Sequence, residues 1–169
     1  MSKRLSEVVP PTPGTRAASR RNIVDVPHTI HPAPVYFDEL DLNGHLHNTR
    51  YALHVERATT AAFAEAGYDT GGAAERHPDL RYVVRQFAIE FRAPVDGAAP
   101  LAVDLWLTHL GRTSMTWRFR VRQGEDPLPR ATGTRTLVKV GPDGRPSPWS
   151  PTMQTWHATL HNVPAAARR

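Results

Sequence analysis

The hydrophobic pattern of this sequence changes period once, and that change limits the folds open to it. Over residues 48–66, Tyr51, Val55, Ala58, Ala62, Phe63 and Ala66 recur at spacings of three and four, the repeat of an amphipathic helix. Asn48 and Thr49 suit its N-cap, and Gly67 suits the left-handed position that ends it. After a polar loop at 68–80 the period falls to two. In 82–92, Val83, Phe87, Ile89 and Phe91 alternate with Gln86, Glu90 and Arg92. In 101–109, Leu101, Val103, Leu105 and Leu107 alternate with Asp104 and Thr108. In 113–122, Met115, Trp117, Phe119 and Val121 alternate with arginines, and in 131–140 Thr134, Thr136, Val138 and Val140 share a face. Leu110-Gly111-Arg112 and the Gly124–Pro129 region read as hairpin turns. Before the helix, 29–38 puts His31, Ala33, Val35 and Phe37 on one side of a further strand. Pro32 and Pro34 make this an edge strand, or one that pairs only near Val35–Phe37. One helix cannot cover both faces of five strands, but it covers one face if the sheet curls round it. The expected fold is therefore α+β, an antiparallel five-stranded sheet wrapped around one long central helix. Its open edges invite pairing between subunits, so a homodimer or homotetramer is expected.

Composition narrows the chemistry. The chain of 169 residues has no cysteine, which excludes disulfide frameworks, thiolate metal sites and cysteine nucleophiles. Its formal charge of +5 first reads as a sign of nucleic acid. The surplus lies in the two ends, however, and acids balance bases over 28–167. Within that body, 28–111 is acidic and 112–139 is basic. Aromatic and basic residues are not interleaved on an exposed face, so no nucleic-acid partner is expected. No apolar run is long enough for a membrane span or the core of a signal peptide, and a cytoplasmic location is expected. Three parts are expected: a flexible Pro- and Arg-rich tail at 1–27, one domain at 28–141, and an extension at 142–169 that is partly helical near 152–161 and then disordered.

The chemistry concentrates in Asp41-Leu42-Asn43-Gly44-His45-Leu46-His47-Asn48-Thr49-Arg50-Tyr51, between the first strand and the helix. A loop at a helix N-terminus offers unpaired N–H groups to developing negative charge. These residues suit acyl hydrolysis. Asp41 could act as general base on water or attack a carbonyl itself. Amides near Asn48 could hold the oxygen as it becomes an oxyanion, while His45 or Asn43 orients water or donates to that oxygen. Ser114, Ser147 and Ser150 sit in no nucleophile elbow. The bland readings are an Asx-turn role for Asp41 and structural roles for Asn43 and His45. A metal held by Asp38, Asp41, His45 and His47 lacks the helical H-E-x-x-H spacing, and neither metal nor cofactor is expected.

The segment and the strand order resemble the hotdog-fold thioesterases, the superfamily of 4-hydroxybenzoyl-CoA thioesterase and the plant acyl-ACP thioesterases. Members carry a D-x-x-G-H-x-x-N-x-x-Y-like segment leading into the central helix, and DLNGHLHNTRY fits it without a gap. IEFRAPVDG looks like the family's strand ending in a turn, and the resemblance covers about 30–140. It implies a hotdog domain that hydrolyses an acyl-CoA thioester to free acid and CoA. It implies that Asp41 is the catalytic carboxylate and that the Asn48 amide polarises the thioester carbonyl. It also implies that Asp41, Asn43 and His45 form the D-x-N-x-H triplet of the plant enzymes. The family's usual Asn at position 47 is His here, and Pro94 and Val95 stand where the plant enzymes carry an acid or Cys. The alternative readings are hydrolysis of an acyl-carrier-protein ester, hydration or dehydration of an acyl-CoA, and non-catalytic acyl-CoA binding, because a fold by itself does not settle function.

Tyr51, at the start of the helix, is the expected substrate contact. Arg85, Arg112 and Arg118 are the candidates for the phosphates of CoA or of a carrier's phosphopantetheine, because guanidinium matches phosphate through paired donors. Glu56 is expected to make a surface ion pair with Arg57 or a strand arginine.

Overall fold

The computed structural model describes residues 27–70 and 76–162; the N-terminal tail expected at 1–27 and the end of the C-terminal extension fall almost entirely outside them. Five strands form one sheet: β1 (Thr29–Ala33), β2 (Tyr82–Phe91), β3 (Leu101–Leu110), β4 (Ser114–Gln123) and β5 (Ala131–Lys139). All pair antiparallel, in the order β1-β3-β4-β5-β2. Helix α1 (Arg50–Glu65) lies against the inner face, and a second helix, α2 (Pro151–Asn162), follows the sheet. The core joins Tyr51, Val55, Ala58, Ala62 and Phe63 of α1 to Leu101, Val103, Leu105 and Leu107 of β3 and Met115, Trp117, Phe119 and Val121 of β4. Both periodicities of the sequence thus meet in one apolar layer.

Three segments depart from the expected pattern. β1 is an edge strand, but it pairs over Thr29–Ala33, with Pro32 opposite Ala102, and not near Val35–Phe37. An edge strand tolerates proline because half its N–H groups face away from the neighbour. The chain then turns into a 3-10 helix, Phe37–Glu39, which leaves Phe37 exposed while Ala33 and Val35 stay buried. In β2 the register shifts between Val84 and Gln86, so a bulge falls at Arg85. A bulge moves every earlier side chain to the opposite face. Val83 therefore points outward opposite Val138, and Tyr82 and Val84 take the inner face. In β5, Thr134, Thr136 and Val138 do share a face, but it is the outer one; Ala131, Arg135, Leu137 and Lys139 are the buried residues.

Gly133 has a steric reason. A Cβ there would lie 2.0 Å from the Ala88 carbonyl oxygen and 2.5 Å from the Phe119 ring. Phe119 stacks on Phe87 at 5.3 Å across this gap, so the glycine makes room for the aromatic pair.

Helix α2 is held by a buried polar node. Asp79, fully buried in the 3-10 helix Pro78–Leu80, accepts the Ser150 amide at 3.0 Å and the Ser150 hydroxyl, and lies 3.0 Å from Lys139 Nζ. Burial pushes the Asp79 carboxyl up, but the bonds from Ser150 and Lys139 outweigh it and hold the group below its usual range. From this anchor α2 lays Trp156 against Phe63 and Trp117, at 5.8 Å from each.

Candidate active site

The loop from Asp41 to Asn48 is a closed turn. Leu40 and Leu46 bridge across it, the Asp41 amide donates to the His45 carbonyl at 2.7 Å, and the Gly44 amide donates to the Asp41 carbonyl at 3.0 Å. Gly44 adopts φ +76°, a left-handed value that side chains rarely accept. The Asp41 carboxylate fastens the turn from within, its Oδ1 accepting the amides of Asn43 at 2.8 Å and His45 at 3.1 Å. The His45 amide above all holds the carboxyl below the usual 3.8, against a smaller upward push from desolvation and with further help from Asn43. Asp41 is thus an Asx-turn residue and a firmly ionised carboxylate at once.

A second turn braces the loop. The Leu46 amide donates to the Val95 carbonyl and the Gly97 amide to the Gly44 carbonyl, both at 3.0 Å. His45 Nε2 lies 3.4 Å from Asp96 Oδ1, an exposed and therefore weak pair.

The start of α1 is capped by an unexpected residue. Thr49 makes no side-chain cap. Instead the His47 ring Nδ1 accepts the Thr49 amide at 3.3 Å and meets the Thr49 hydroxyl at 2.9 Å, while the His47 carbonyl accepts the Arg50 amide at 2.8 Å. His47 therefore serves two of the amides that a helix start leaves open. The Asn48 amide finds no acceptor among the described residues.

Asp41, His45, Asn48 and Tyr51 line one side of a cleft of about 600 Å³; Phe91, Arg92, Ala93 and Pro94, from the end of β2 and the turn after it, line the other. Tyr51 is buried, and its ring meets the edge of Phe91 at 5.1 Å. Burial pushes its hydroxyl pKa up, so the group keeps its proton and can donate. Asn43 does not line the cleft; its amide serves the Asp41 carboxylate.

The other expected residues lie elsewhere. Arg85 sits at the β2 bulge. Arg112 belongs to the turn between β3 and β4, at the opposite end of the sheet from Phe91, and its carbonyl accepts the Trp149 amide at 3.0 Å. Arg118 stacks over Trp106 at 4.2 Å on the outer face. None of the three lines the cleft. The arginine that does is Arg92, which pairs with Glu90 at 2.8 Å. Its sequence signal is only the last polar position of an alternating strand, which gives no hint that this strand end faces the Asp41 loop. Glu56 meets a strand arginine, Arg135, at 3.6 Å. Among the described residues no three His, Asp or Glu side chains converge as metal ligands. No helix among them is long and apolar enough to cross a membrane.

Comparison with known proteins agrees with this architecture. The family model of the thioesterase superfamily matches residues 43–129, from the Asp41 loop to the end of the β4–β5 turn. The PA2801 protein of Pseudomonas aeruginosa, a candidate thioesterase, is 30% identical, with 75% of this chain and 95% of that one covered and a TM-score of 0.66. A Thermus thermophilus thioesterase complexed with coenzyme A and zinc is 21% identical, covers 83% of this chain and 98% of its own, and has a TM-score of 0.69. The 1,4-dihydroxy-2-naphthoyl-CoA thioesterase Slr0204 of Synechocystis shares the fold at 15% identity, with 79% and 98% covered and a TM-score of 0.67. A search of curated proteins found no sequence match. With a five-stranded sheet closed on one helix and a family match over more than half its length, this chain belongs to the thioesterase superfamily.

Proposed function

We propose that this thioesterase hydrolyses acyl-CoA esters, with Asp41 and the Asn48 amide as its catalytic pair. One observation carries the reading: Asp41, whose carboxyl is held below its usual range, and Asn48, whose amide has no acceptor among the described residues, line the same cleft. The thioester carbonyl accepts the Asn48 N–H. Charge developing on its oxygen is then stabilised by that donor and by the positive end of the α1 dipole. Asp41 either takes a proton from the attacking water or adds to the carbonyl carbon itself, and water then releases the acid. Either way the C–S bond breaks, the thiolate leaves, and it picks up a proton to become free CoA. His45, which lines the cleft, holds the water, and the Asn43 amide holds the Asp41 carboxylate. Tyr51 and Phe91 offer an apolar wall to the acyl group, and Arg92 offers a guanidinium to phosphate.

The coenzyme A held by the Thermus thioesterase supports a CoA-type substrate here. Assembly into a homodimer is supported by β2, whose outer edge pairs with no described strand and which exposes Val84 and Phe91 about halfway.

The test is thiol release from a panel of short, long and aromatic acyl-CoA esters, with the wild type beside Asp41→Asn and Asp41→Ala. Turnover by the wild type and its loss in both variants is expected. Full turnover in both variants overturns the assignment, as does tight acyl-CoA binding by the wild type with no thiol released.

A further inference from the structure

Glu39 and His54 are buried side chains that the hydrolytic mechanism does not use. Glu39 closes the 3-10 helix before the Asp41 loop and is 4% exposed; His54 lies on α1, three residues after Tyr51, and is fully buried. His54 Nε2 sits 3.3 Å from Glu39 Oε2, and Arg57 Nη1 sits 3.6 Å from Glu39 Oε1. Neither ring nitrogen of His54 has an aligned hydrogen bond, so this contact with Glu39 is its principal polar one.

Glu39 is also a junction in the backbone. Its carboxylate accepts the Tyr36 amide at 3.1 Å, where β1 gives way to the 3-10 helix. Its carbonyl accepts the His47 amide at 2.9 Å, one residue before Asn48. One residue therefore ties the exit from β1, both ends of the Asp41 loop and the second turn of α1.

Such a pair is a poor way to gain stability. Withdrawing a carboxylate and an imidazole from water costs several kcal/mol, and well-packed apolar residues of similar volume usually serve as well or better. What a directional polar contact adds is a fixed register, because apolar surfaces slide past one another at little cost. The register here is that of the loop bearing Asp41 against the helix whose start bears the Asn48 amide. Misplacing a catalytic group by about 1 Å can cost roughly 100-fold in rate.

We propose that Glu39 and His54 are positioning residues for thioester hydrolysis: they lock the Asp41 loop onto α1 so that the Asp41 carboxylate and the Asn48 amide address the same carbonyl. The proposal rests on the catalytic reading above. It predicts that the two side chains act on turnover and hardly at all on substrate binding.

The experiment compares wild type, Glu39→Gln, the double variant Glu39→Leu with His54→Met, and Asp41→Asn, by thiol release on the same acyl-CoA panel and by thermal denaturation. The double variant is expected to melt no lower than the wild type, with kcat reduced 10- to 100-fold and KM within about twofold. Glu39→Gln keeps an acceptor for the Tyr36 amide and is expected to recover part of that loss. A double variant that keeps kcat within twofold, while Asp41→Asn is inactive, overturns the positioning role and leaves the catalytic reading standing. So does a loss of kcat that only follows a lower melting temperature, with no recovery in Glu39→Gln. Full activity in Asp41→Asn overturns the catalytic reading, and with it the positioning role.

Discussion

Asp41 and His45 are joined twice: the Asp41 amide donates to the His45 carbonyl at 2.7 Å, and the Asp41 carboxylate accepts the His45 amide at 3.1 Å. The second bond does most to lower the carboxyl pKa, so the turn that shapes the loop also sets the charge of its functional group.

That coupling has a pH signature. In the proposed mechanism ionised Asp41 is the active form, and its pKa lies below the usual 3.8. Activity attributable to Asp41 should therefore hold as pH falls from neutral and drop only below that value. In Asp41→Glu the longer side chain misses both amides. The acid limb should then rise towards about 4.3, the ordinary glutamate value, and kcat should fall. A pH profile of kcat for the two proteins measures this.

The cap at His47 gives a second expectation. His47→Ala removes the acceptor for the Thr49 amide and should cost about 1 kcal/mol of stability. It should also lower kcat, because the helix start that holds the Asn48 amide then loses its brace. His47→Asn, a strong cap, should restore most of both. Chemical denaturation read beside thiol-release kinetics decides it.

The Asp79 node should be the most sensitive polar site for stability. Asp79→Ala leaves Lys139 buried without its carboxylate and should destabilise the protein by about 3–5 kcal/mol. Because the folded carboxyl lies below its usual value, its stabilisation is complete above about pH 4 and is lost as pH falls through the folded pKa. The wild type should therefore lose melting temperature in strong acid, and Asp79→Asn, already weakened, should lose less over the same range.

Gly133→Ala tests the packing of the sheet. The added methyl would stand 2.5 Å from the Phe119 ring and closer still to the Ala88 carbonyl. The strands must part to admit it, at a cost of roughly 1–3 kcal/mol by urea denaturation.

Much of this protein is legible in its sequence because the information is local. The spacing from Tyr51 to Ala66 defines α1, period two defines four strands, and Asp41 to Tyr51 marks the candidate site without any contact being known. The misplaced residues mark where local information ends. A bulge at Arg85 reverses the facing of Val83, and no residue type announces it. Arg118 is as good a phosphate ligand as Arg92 by composition, yet stacking on Trp106 fixes one on the outer face and the end of β2 brings the other to the cleft. His47 reads as a departure from a motif until its ring is seen capping α1, and Glu39 and His54 read as unrelated polar residues until the loop folds back on the helix. The sequence by itself determined which elements form and which loop gathers the candidate functional residues, because periodicity and turn preference act between near neighbours. Only the tertiary structure decided which side chains share the cleft, because that depends on register, bulges and burial between segments far apart in the chain.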